Sequence, residues 1–109
     1  MSELANETCE SCRTAGGQLG AEAILGLLGR LDSNWRVINE HHLERHFQFK
    51  DFRQALAFTN RVGELAETQG HHPDFQLGWG KVTITIWTHS VNGLTRADFV
   101  LAAKIDQVS

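Results

Sequence analysis

Long apolar runs are absent, and no stretch of the 109 residues is long enough to cross a bilayer. Dense basic runs are absent too. Lys+Arg number 10 against Asp+Glu 13, for a net charge of -3, so direct binding to a nucleic-acid backbone is not expected. Cysteine is scarce: Cys9 and Cys12 stand in a single Cys-x-x-Cys spacing. That spacing fits a redox pair or half of a zinc site. No second such pair exists, and zinc would need two histidines to swing over. An oxidisable pair of no special role is the simpler reading. Met1–Glu7 is acidic and polar and shows no signal-peptide pattern, so a cytoplasmic location is expected.

What remains suits one domain with a modest core, since hydrophobic residues make up 41%. A core of this size is often supported by association, so an oligomer is expected. Residues 1–20 read as a loosely held arm with Gly16, Gly17 and Gly20. These glycines follow no strand, so they do not make a phosphate loop.

Residues 21–109 read as the domain. Ile24, Leu27, Leu28 and Leu31 recur at helical spacing over 21–31. Trp35, Val37 and Asn39 alternate with Arg36, Ile38 and Glu40, and Leu43, Arg45, Phe47 and Phe49 with Glu44, His46 and Gln48, which gives two strands joined near Asn39–His42. Asp51 and Gln54 form a capping-box pattern before the stripe Phe52, Ala55, Phe58, Val62 and Leu65, and Gly70 is a natural stop. Two more strands cover 74–79 and 81–88, with Gly78 and Gly80 around Trp79 marking a tight turn or bulge. A last helix begins near Thr95, with Leu101, Ile105 and Val108 as its buried stripe. The order α-β-β-α-β-β-α predicts an α+β fold: a four-stranded antiparallel sheet with three helices on one face.

Six histidines are present. His41, His42 and His46 fall on the first hairpin and read as solvated. His71-His72-Pro73 lies between a helix end and a strand. Proline favours an extended residue before it, and adjacent extended side chains point to opposite sides. His89 ends a strand on the face away from Val82, Ile84 and Ile86. Imidazole titrates nearest neutral pH, so these three rings suit proton transfer. The duller alternative is a set of helix-cap and surface histidines. A metal site is disfavoured, because adjacent histidines seldom direct both rings to one ion and no His-x-x-x-His on a helix accompanies them. Glu67, one helical turn before His71, and Asp98 are the carboxylates able to tune the rings. Their plain roles are a solvated helix acid and the acid of a capping box with Thr95. Trp35, Trp79 and Trp87 read as core or as pocket walls.

The run Glu67, three residues, His71-His72-Pro73, five residues, Trp79, nine residues, His89, eight residues, Asp98 resembles the signature of the pterin-4a-carbinolamine dehydratases. Phe47–Phe52 is similar to the family's entry to its long helix, and Thr88-His89 with Gly93-Leu94-Thr95 to its last strand and helix. The likeness covers about Leu25 to Val108, and the Cys9–Cys12 arm is similar to that of some bacterial members.

The resemblance implies dehydration of 4a-hydroxytetrahydrobiopterin, or a related carbinolamine, to quinonoid dihydropterin. That step recycles the cofactor of aromatic amino acid hydroxylases, needs no metal or cofactor, and is housed in a homodimer or homotetramer. Carried over by motif, His71, His72 and His89 are the catalytic histidines. His71 and His89 would exchange protons with the substrate while His72 positions and polarises it; which ring is acid and which base stays open. Glu67 and Asp98 would orient or support them, Trp35 would flank the pterin, and Pro73, Thr88 and Ser90 complete the substrate-side positions. Gly70 and Ala97 stand where animal members often carry an acid and an arginine, so the roles of those groups do not transfer. One other role known in the family stays open, a protein-binding regulator of transcription or hydroxylase expression; nothing in this sequence specifically supports a third, assistance in assembling a carbon-fixing enzyme.

Overall fold

Alternating side chains dictate the centre of the molecule. In a computed structural model, which describes residues 3–8 and 17–109, four strands form one antiparallel sheet. They are β1 (Arg36–Ile38), β2 (His42–Gln48), β3 (Asp74–Gly78) and β4 (Lys81–Ile86), in spatial order β1-β2-β4-β3. Leu43 pairs with Ile86 and Phe47 with Val82 across β2 and β4, while Phe75 pairs with Ile84 across β3 and β4. These side chains share one face. The register puts Glu44 beside Thr85 and His46 beside Thr83 on the other.

Three helices complete the domain: α1 (Ala21–Leu28), α2 (Phe52–Gln69) and α3 (Arg96–Val108). Their buried residues join those of the sheet in one core. The fold is α+β in the order α-β-β-α-β-β-α. Asp51 caps α2 by accepting the Gln54 N–H at 2.9 Å. Phe58 carries α2 onto the sheet, with ring centroids 4.6 Å from Phe47 and 5.1 Å from Phe49. The β1–β2 link is a type I′ turn: Asn39 and Glu40 both have φ 55°, and His41 N–H donates to Ile38 O at 2.9 Å.

Several expectations shift. α1 ends at Leu28, before the predicted Leu31. Trp79 falls outside the strand expected over 74–79, which ends at Gly78; it sits in the β3–β4 turn, 71% exposed. Val108, in the last helical turn, is 37% exposed rather than part of the buried stripe. Residues 97–103 of α3 are instead buried on every side, which an amphipathic reading does not anticipate. The cause is the N-terminal segment, read as a loose arm. Glu3–Asn6 forms a 3-10 turn, and its Leu4 and Ala5 are buried in the core. Glu7 accepts two hydrogen bonds from Arg96, at 2.7 and 2.6 Å, and Lys104 Nζ donates to Ala5 O at 2.7 Å. Cys9 and Cys12 lie outside the described residues. Among the described residues no helix is long and apolar enough to cross a membrane.

Candidate active site

The end of α2 places the histidine pair. Gly70 adopts the left-handed conformation (φ 64°, ψ 28°), which glycine reaches at no steric cost. Its N–H donates to Glu67 O and that of His71 to Ala66 O, both at 3.2 Å, which closes the helix. The chain then passes His71, His72 and Pro73 into β3. The two imidazoles part as alternation requires: His71 is 7% exposed and His72 faces solvent.

Each ring of the pair has a carboxylate. His71 Nε2 lies 2.6 Å from Asp98 Oδ1, and His72 Nε2 lies 2.7 Å from Glu67 Oε1. The first contact is buried, since Asp98 is 0% exposed. The second is exposed on both sides and adds little stability, so its use is to orient the ring.

Asp98 combines the two roles that its position suggested. Its Oδ2 accepts the Thr95 N–H and the Thr88 hydroxyl, both at 2.8 Å, and so caps α3. Thr95 Oγ1 lies a further 2.9 Å from Thr88 Oγ1. Asp98 is thus an acceptor toward three donors. An ionised carboxylate only accepts, so His71 presents an Nε2–H to it and turns Nδ1 away from this contact.

Beyond β4, Thr88 bridges back to Gly93, and His89–Val91 makes a 3-10 turn closed by Asn92 at φ 51°. This turn brings His89 to the helix end. A single cavity of about 280 Å³ is lined by Gly70, His71, His72, Trp87, Thr88, His89 and Ser90. The His71-His72 doublet and the distant third imidazole therefore face one space. Pro73 adjoins it without being among the lining residues.

Trp35 is elsewhere. It is buried in the core, and its Nε1 donates to Asp106 Oδ1 at 2.7 Å. Asp106 lies eight residues beyond Asp98, or about 12 Å along the helix. Arg45 Nη1 meets the same oxygen at 2.6 Å, and the Asp32 N–H donates to Oδ2 at 3.0 Å. Burial pushes the Asp106 carboxyl up, against the pull of these donors. The Asn34 backbone N–H holds Asp32 below the usual carboxylate range. This cluster ties the α1–β1 loop to α3 and stands apart from the histidine cavity.

Trp87 and the first histidine pair are the unexpected neighbours of the site. The Trp87 ring stacks on His89 with centroids 4.4 Å apart and planes 16° apart. His41 and His42, read as solvated, contact Trp87 at 5.3 and 6.1 Å. Only the strand register could have shown this: Leu43 pairs with Ile86, so the residues just beyond that pair become neighbours. Among the described residues, no group of three or more His, Cys, Asp or Glu side chains is placed to hold a metal ion.

The family model for pterin 4 alpha carbinolamine dehydratase matches residues 18–108. A protein of Alkaliphilus metalliredigens, provisionally named as such a dehydratase, is 49% identical over 107 residues, 98% of this chain and 96% of its own. A protein of Rubrobacter xylanophilus with the same provisional name is 51% identical over 108 residues, 99% of this chain and 100% of its own. Among solved structures, a transcriptional coactivator/pterin dehydratase from Brucella melitensis is similar with a TM-score of 0.79. It is 31% identical, over 84% of this chain and 98% of its own. A pterin dehydratase-like protein described as a RuBisCO assembly factor in the alpha-carboxysome gives a TM-score of 0.59. Its identity is 27%, over 69% of this chain and 88% of its own. The match spans nearly all of the folded domain, and two relatives share about half of its residues: the chain belongs to the pterin 4 alpha carbinolamine dehydratase family.

Proposed function

We propose that the cavity dehydrates a 4a-hydroxytetrahydropterin to quinonoid dihydropterin and water by histidine acid–base chemistry. The reaction takes one proton in and releases one. A proton reaches the C4a hydroxyl, the C4a–O bond breaks, and water leaves. The adjacent ring nitrogen forms a double bond to C4a and gives up its own proton. Both transfers suit groups that titrate near neutrality. His71 and His89 exchange the protons, and His72 positions and polarises the ring. Asp98 and Glu67 hold the doublet, while Thr88 and Ser90 form the adjoining wall.

One observation carries this reading: the three imidazoles line one cavity of about 280 Å³. Ligand pockets commonly measure about 300–1,000 Å³, so this one suits a small flat heterocycle. A homodimer or homotetramer serving an aromatic amino acid hydroxylase belongs to the same reading, and light scattering tests the oligomer. The enzymatic test supplies the carbinolamine and follows the quinonoid product. The wild type is expected to exceed the spontaneous rate, and His71→Ala and His89→Ala to lose about 10²- to 10⁴-fold. A wild-type rate equal to the spontaneous one contradicts the proposal.

A second reading, a protein-binding regulator, draws on the exposed Trp79 and Leu77 and on the roles given for the two structural relatives. Pull-down from the native host tests it, and recovery of no stable partner removes it.

A further inference from the structure

We propose that Trp87 is the positioning residue of His89, braced by the histidine pair of the β1–β2 hairpin. This inference rests on the dehydratase reading of the cavity. His71 and His72 each have a carboxylate on Nε2, at 2.6 and 2.7 Å. His89 has neither a hydrogen bond nor an ion pair to its ring among the described residues. It is exposed and sits on a 3-10 turn of three residues. A ring so placed loses rotamer freedom when it engages a substrate, unless something fixes it beforehand.

The Trp87 stack, at 4.4 Å and 16°, does the fixing. Stacked aromatic rings within about 4.5–7 Å attract beyond their buried area. Trp87 in turn touches His41 and His42. His41 is held at both nitrogens: Nδ1 lies 3.0 Å from His42 Nδ1, and Nε2 lies 2.9 Å from Asn92 Oδ1. The Asn92 N–H donates to His89 O at 3.1 Å, closing the turn that carries the catalytic ring. The hairpin thus grips the His89 turn twice, through rings and through Asn92.

Stacking occupies the face of the His89 imidazole and leaves both ring nitrogens to the substrate. A carboxylate partner would have taken one of them, as it does for His71. Trp87 is partly buried and packs against the edge of the core, so thermal melts of its variants accompany the kinetics and separate a lost stack from a lost fold. A displacement of about 1 Å in a reacting group can lower a rate about 100-fold.

The test combines steady-state dehydration kinetics with NMR of the histidine ring protons. An indole stacked on His89 shifts that ring's protons upfield. Trp87→Leu is expected to abolish the upfield shift and lower kcat about 10- to 100-fold, with KM nearly unchanged. Trp87→Phe restores the stack and recovers most of that loss. His41→Ala, outside the cavity lining, shifts both readouts in the same direction by less. Wild-type kcat in Trp87→Leu overturns the proposal. So does a wild-type His89 ring at the ordinary unstacked position. A wild type with no dehydration but a Trp87-dependent upfield shift upholds the stack and places the failure in the catalytic reading.

Discussion

His71 Nε2 lies 2.6 Å from Asp98 Oδ1, and this contact joins the end of α2 to the start of α3 across 27 residues of chain. The two oxygens of Asp98 divide their labour. One holds the imidazole, and the other caps the helix that carries the carboxylate. One buried side chain therefore holds both the helix start and the imidazole.

Asp98→Asn separates those functions. The amide keeps the shape but can present N–H to His71, which removes the acceptor for the Nε2 proton. Dehydration is expected to fall by about 10²- to 10⁴-fold with little change in KM. Steady-state kinetics checks this, and a rate within about twofold of wild type contradicts it.

Thr88→Val keeps the size of the side chain and removes the hydroxyl shared by Asp98 and Thr95. Two buried polar atoms are then each left one partner short, at an expected cost of about 1–3 kcal/mol. Urea denaturation reads the loss, and Thr88→Ser should recover it. Equal stability in Thr88→Val would show that the network is not tight.

Much of this was legible in the sequence, because both helices and strands print a period. The stripe of α2, its Asp51 cap and its Gly70 stop stand where spacing and turn chemistry put them. The signature spacing also marked His71, His72, His89 and Asp98 before any geometry was known. The misses have physical causes. Leu4 and Ala5 pack on α3 from a 3-10 turn too short to show periodicity. Arg45 reads as an apolar-side position of β2, and it does face inward, but its partner Asp106 comes from 61 residues away. Trp87, His41 and His42 meet only through the pairing of β2 with β4. Trp35 has the composition of a pocket wall, yet its indole N–H is spent on Asp106.

Asp106 yields a prediction of definite sign. Burial puts its folded value above the unfolded one of about 3.9. Its contribution to stability is therefore fully present below that unfolded value and is lost as pH rises through the folded one. Asp106→Asn cannot ionise, so the variant should gain on the wild type in Tm as pH rises from acid through the carboxylate range. Asp32, shifted the opposite way, is present in both proteins and cancels to first order. Thermal melts across that range check this, and a Tm difference that is flat or moves the other way contradicts it.

Gly80 tests the β3–β4 turn. A Cβ there would stand 2.9 Å from Phe49 O, a backbone atom that cannot rotate aside. The same strand segment closes on Gly80 through Phe49 N–H to Gly80 O at 2.7 Å. Gly80→Ala should cost about 1–3 kcal/mol, read as a lower denaturation midpoint with the cavity chemistry intact. An unchanged midpoint would mean that the turn yields freely.

The most direct measurement is a crystal structure of the protein soaked with a dihydropterin. The account predicts one flat bicyclic ligand in contact with His71, His72 and His89 together, with Trp87 still stacked behind His89. A ligand bound away from the doublet, or touching it with His89 turned out of reach, contradicts the account.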